Sequence, residues 1–99
     1  MGMLKVKGTV RPRNLVIAAA LANAAHDLPF DPVITSGNDS QHMPGSKHYT
    51  GEALDVRTRN IPADPPGLLT LLVTRLKRRL GPDYQVIVDP DHLHIERDA

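Results

Sequence analysis

The chain has 99 residues, 40% of them hydrophobic, and its 12 Lys and Arg against 11 Asp and Glu leave a formal charge of +1. That describes a single domain over residues 1–99, too small for a two-domain cofactor enzyme, and the charge balance argues against a dedicated nucleic-acid binder. Zero Cys excludes disulfide frameworks, thiolate zinc sites, iron–sulfur clusters and cysteine nucleophiles, whereas five His keep a metal open to a domain of this size.

In chain order, Met3 to Val10 alternates weakly, with Leu4 and Val6 on one side and Lys5 and Lys7 on the other. It is read as a short edge strand guarded by its lysines. A helix is predicted from Pro12 or Asn14 to about His26, with Ile17, Leu21, Ala24, Ala25 and Leu28 at helical spacing. Leu28-Pro29 ends it, and His26 reads as a cation near the helix C-terminus. Pro32 to Ser36 reads as a buried strand stopped by Gly37, followed by a surface loop over 38–49 with many turn formers. Gly51 to Thr58 alternates, placing Ala53, Asp55 and Arg57 on one face and Leu54 and Val56 on the other.

After a linker over 60–64, a second helix is predicted with Asp64 as N-cap, Pro65 as first helical residue and Gly81-Pro82 as stop. Leu69, Leu72, Val73, Leu76 and Leu80 make its buried stripe, and Arg75, Lys77, Arg78 and Arg79 read as a solvated face. Tyr84 to Val88 is a β run, and an Asp89-Pro90 turn leads to a last alternating strand over 91–96. The strand-to-strand links favour an α+β fold: an antiparallel sheet of about four strands with two main helices.

No run approaches the roughly 18 apolar residues that span a bilayer, and Met1 to Lys7 lacks the apolar stretch of an export signal. The expectation is a protein with no membrane partner, cytoplasmic as encoded.

Several site chemistries are absent as motifs. There is no phosphate-loop spacing, no G-x-S-x-G elbow and no H-E-x-x-H helix. Zinc can still be held by His and carboxylate from loops and strands. His48 ends the loop, Asp55 follows seven residues later, and His92 and His94 project from one face of the last strand. One His, one Asp and one of the latter two His give three protein ligands and an open fourth position, the catalytic rather than the structural pattern. Asp91 and Glu96 flank the His pair as candidate bases. Each residue also has a plain reading: His48 as an exposed loop residue, Asp55 paired with Arg57, and the two His as the polar side of an amphipathic strand.

Ile34-Thr-Ser-Gly37, Ser46-Lys-His48-Tyr-Thr-Gly51-Glu-Ala53-Leu-Asp55 and Asp91-His-Leu-His94 together resemble the zinc D-Ala-D-Ala carboxypeptidase family. That family includes D,D-dipeptidases and phage L-Ala-D-Glu endolysins, and shares its core with the hedgehog signalling domain. The resemblance implies a hedgehog/D,D-peptidase-like fold with one zinc ion on His48, Asp55 and His94. It implies Asp91 as general base and His92 as a group that polarises the scissile carbonyl or positions substrate. The implied substrate is a peptide of cell-wall peptidoglycan, reached by release to the wall if the chain serves phage or prophage lysis, and Ser46 is expected to fix the loop or hydrogen-bond that peptide. The family commonly follows Thr-Ser-Gly with an aromatic residue and a carboxylate-binding Arg, where this chain has Asn38 and Asp39. Arg57 or Lys47 could take the carboxylate instead, and an endopeptidase would need no such clamp. Two rivals remain: a zinc-stabilised, non-catalytic binding module of the same fold, and a small basic interaction domain using Lys5, Lys7, Arg11, Arg13 and the Arg75–Arg79 cluster.

Overall fold

The fold is taken from a computed structural model that describes residues 2–7, 10, 14–36 and 53–97. Its elements are β1 (Lys5–Val6), α1 (Leu15–Ala25), β2 (Val33–Ser36), β3 (Ala53–Arg57), α2 (Leu68–Leu80), β4 (Tyr84–Val88) and β5 (His92–Arg97). The strands form one sheet in the order β1-β2-β3-β5-β4.

Among the described residues the α+β class with two helices matches the expectation, but the sheet has five strands and is mixed. β1 runs parallel to β2, pairing Lys5 with Val33 and Val6 with Ile34, because α1 crosses between them and returns the chain in the same direction. The remaining pairs, β2–β3, β3–β5 and β4–β5, are antiparallel. Lys5 does lie on the sheet edge, where its ammonium pairs with Asp31 at 3.3 Å.

α1 forms from an alanine-rich run, the best intrinsic helix formers, and buries the expected Ile17, Leu21, Ala24 and Ala25. Leu28 is buried just beyond its end, and the Leu28 N–H donates to the Ala25 carbonyl at 3.0 Å. His26 is the C-cap residue, and its Nδ1 lies 2.9 Å from the Asn23 carbonyl.

α2 begins later than expected. Gly67 (φ 86°) is its N-cap, so neither Asp64 nor Pro65 has the predicted role. A left-handed residue suits glycine, and the helix starts where that residue turns the chain. The shift also refines the stripe: Leu68, Leu72 and Leu76 are buried, while Leu69, Val73 and Leu80 pack at the margin of the core. Arg75 departs from the solvated face. Its Nη1 donates to the Ala24 carbonyl (3.0 Å) and to Asp27 Oδ1 (2.6 Å), tying α2 to the C-terminal end of α1.

The alternation of β3 and β5 decides where the core sits. Leu54, Val56, Leu93 and Ile95 are fully buried and join Val86, Ile34 and the two helices in one apolar cluster. Their burial supplies the main stabilisation, on the order of 1.5–3 kcal/mol for each large side chain. The intervening residues of β3 and β5 are thereby turned to the opposite face.

Candidate metal centre

The register of β3 on β5 sets Asp55 opposite His94 and Arg57 opposite His92. Paired residues in an antiparallel ladder share a face, so Asp55, Arg57, His92, His94 and Glu96 gather on the face away from the helices. Between Ile34 and Ser36 the β2–β3 register slips by one residue, a bulge of the kind that bends a strand beside a site. At its base Asn14, fully buried, donates from Nδ2 to the Ala53 carbonyl at 3.2 Å, fixing the first residue of β3 to the start of α1.

Asp55 and His94 meet directly: His94 Nδ1 lies 3.0 Å from Asp55 Oδ1, with both side chains under one-fifth exposed. The other ring nitrogen, Nε2, lies 3.1 Å from Glu96 Oε1. The Asp55 hydrogen bond raises the His94 pKa above its ordinary value, against the opposing effect of burial.

His92 has different surroundings. The β4–β5 turn is closed by the Asp89 N–H donating to the His92 carbonyl (2.9 Å), which brings Asp89 across from His92. Its Nε2 is 3.1 Å from Asp89 Oδ2 and its Nδ1 is 2.7 Å from Asp91 Oδ1, whereas Asp55 Oδ1 is 3.9 Å away. The His92 hydrogen bond holds the Asp91 carboxyl below the usual carboxylate range. Asp91 itself is 82% exposed.

These contacts separate two histidines that the sequence left equivalent. Two atoms bound to one tetrahedral zinc at 2.0–2.1 Å stand about 3.3 Å apart. Asp55 Oδ1 and His94 Nδ1 come near that spacing, and Glu96 on the far nitrogen is the carboxylate partner that metal-ligating histidines usually have. The His92 nitrogens are both engaged by the turn carboxylates. Asp55 and His94 are thus the described residues whose donor atoms could share a zinc ion. The third expected ligand, His48, lies outside the described residues, as does Ser46. Among the described residues no group of three His, Asp or Glu side chains is arranged to hold a metal ion.

Beside this pair is an open pocket of about 330 Å³ lined by Thr35, Asp55, Arg57, Arg59, Asp91 and His92. Asp55 turns to the histidines, with His94 Nδ1 at 3.0 Å and His92 Nε2 at 3.9 Å. Arg57 and Arg59 thus face a pocket that also holds two acids, and the Arg59 charge helps to depress the Asp91 pKa. A larger cleft of about 540 Å³, lined by Lys77, Gly81, Pro82 and residues 84–87, has no acid and no histidine among its described lining residues. Sequence reading missed Asp89 and gave Glu96 only as a base. Both are legible as acids spaced by two or three residues around the His pair, but their partners follow from the turn and the pleat.

Comparison with protein families, with characterised proteins and with solved structures gives no match to this chain. The resemblance to the zinc carboxypeptidase family rests on its motif residues alone. No helix among the described residues is long and apolar enough to cross a membrane.

Proposed function

We propose that the chain is a zinc metallopeptidase that hydrolyses peptide bonds, as a carboxypeptidase or endopeptidase, in cell-wall peptidoglycan peptides. The observation that supports this reading is the approach of His94 to Asp55 across β3 and β5, beside a pocket that also presents Asp91 and His92. A zinc ion on His48, Asp55 and His94 would lower the pKa of the attacking water to about 7 and polarise the scissile carbonyl.

The remaining roles belong to the chain's own side chains. Asp91, kept ionised by His92, takes the proton from water on its carboxylate and passes it to the leaving amine. His92 fixes that carboxylate through Nδ1 and, from the pocket wall, positions the scissile carbonyl. Arg57 and Arg59 offer guanidinium groups to a substrate carboxylate, standing in for the Arg that Asn38 and Asp39 replace. Ser46 retains its expected role in holding the loop or the peptide.

The test is the Asp91→Ala variant, with purified muropeptides as substrate and mass spectrometry as the readout. Cleavage should be abolished while one zinc per chain is retained. Loss of zinc instead would make Asp91 a ligand and sink this assignment. Retention of zinc by an unmodified chain that cleaves nothing would favour the non-catalytic module.

A further inference from the structure

The proposal concerns Glu96 and rests on the metal reading of Asp55 and His94. His94 has two ring nitrogens, and a neutral imidazole can give only one lone pair to a metal; the proton sits on the other nitrogen. Which nitrogen is which depends on the hydrogen bond made by the protonated one. In this chain Nε2 points at Glu96 Oε1 (3.1 Å) and Nδ1 at Asp55 Oδ1 (3.0 Å).

Glu96 reaches Nε2 because of the strand. It lies two residues beyond His94 on β5, so the pleat returns it to the same face. Its cross-strand neighbour on β3 is Ala53, whose single methyl group leaves the carboxylate room to fold back along β5. The Glu96 side chain is only 20% exposed, nearly the same as His94 at 19%. A carboxylate drawn that far from water needs a strong donor, and the imidazole N–H is within reach.

We infer that Glu96 is the positioning residue for the metal ligand His94: without metal both ring N–H groups can donate, Nδ1–H to Asp55 and Nε2–H to Glu96, and when a metal displaces the Nδ1 proton, Glu96 keeps the other on Nε2 and holds Nδ1 beside Asp55. A surface ion pair along a strand would contribute a little stability and nothing to metal affinity. A tautomer-fixing carboxylate changes affinity, typically by roughly 10- to 100-fold.

The experiment titrates the full chain with Zn²⁺ against a competing chelator, for the unmodified protein and for Glu96→Ala, Glu96→Gln and His94→Ala. Glu96→Ala should bind one zinc roughly 10- to 100-fold more weakly. Glu96→Gln keeps an acceptor oxygen and should recover part of that loss even if the Ala variant folds poorly. Imidazole ¹⁵N shifts of the zinc-loaded unmodified chain should report a proton on Nε2 of His94. Equal affinity in Glu96→Ala, or a proton on Nδ1, would overturn the role of Glu96 while leaving the metal reading intact. If the unmodified chain takes up no zinc, or His94→Ala binds as tightly, the metal reading fails and this inference with it.

Discussion

Strand β5 is built with two unlike faces, and a pair of substitutions on adjacent residues measures how unlike they are. Leu93 is fully buried and stands opposite Val56 on one side and Val88 on the other. Leu93→Ala deletes about three carbons' worth of transfer energy and leaves a cavity between β5 and the helices, at a cost of about 3 kcal/mol. For a domain of this size that lowers Tm by roughly 12–24 °C. His92, the neighbouring residue, is one-third exposed and contacts carboxylates that are themselves 40% and 82% exposed. Exposed ion pairs contribute little, so His92→Ala should move Tm by less than about 4 °C. Both variants are to be melted in chelator, by calorimetry and circular dichroism, so that metal does not contribute. If His92→Ala proves as damaging as Leu93→Ala, the histidine face is part of the scaffold rather than a surface free to do chemistry.

Two further outcomes follow from the helices. The Arg75 guanidinium holds the Asp27 carboxyl below its ordinary pKa of 3.8, so the pair stabilises the fold above that pH and is lost as pH falls through the depressed value. Asp27→Asn should therefore lower the urea midpoint at pH 7, and the gap between variant and parent should narrow as pH falls below 3.8 and through the depressed value; a gap that stays undiminished in acid would show that the contact does not depend on charge. Gly67 has open space where a Cβ would stand, so only its positive φ opposes a side chain. Gly67→Ala should cost about 1–2 kcal/mol in urea denaturation, and an unchanged midpoint would place the start of α2 elsewhere.

Much of the fold could be read from periodicity because the core is periodic. The α1 stripe and the alternation of β3 and β5 come from local spacing, and each buries the residues that spacing picks out. The edge position of β1 was legible in its weak alternation and its lysines, but its parallel pairing was not. β1 has two residues and joins β2 through backbone bonds, Lys5 N–H to Pro32 and Lys7 N–H to Ile34, which leave no side-chain pattern. The start of α2 was misplaced because Asp64-Pro65 looks like an N-terminus, whereas the turn at Gly67 sets it. Arg75 is separated from Asp27 by 48 positions, a contact that no helical pattern reveals.

The site divides in the same way. Spacing brought His92 and His94 onto one face with Asp91 and Glu96 beside them. It gave no reason to prefer one histidine, because the preference comes from the cross-strand register that sets Asp55 against His94. The role of Asp89 comes from the hairpin turn that carries it over to His92, and the link from Asn14 to Ala53 joins elements 39 positions apart. His48 and Ser46, outside the described residues, stand on the motif alone.

The measurement closest to the central claim is mass spectrometry of mono-, di- and cross-linked muropeptides incubated with the zinc-loaded chain, with His94→Ala in parallel. The account predicts a new fragment, made only by the unmodified protein and abolished by chelation, whose mass loss names the bond. No fragment from any of these substrates, or the same fragment from His94→Ala, would contradict it.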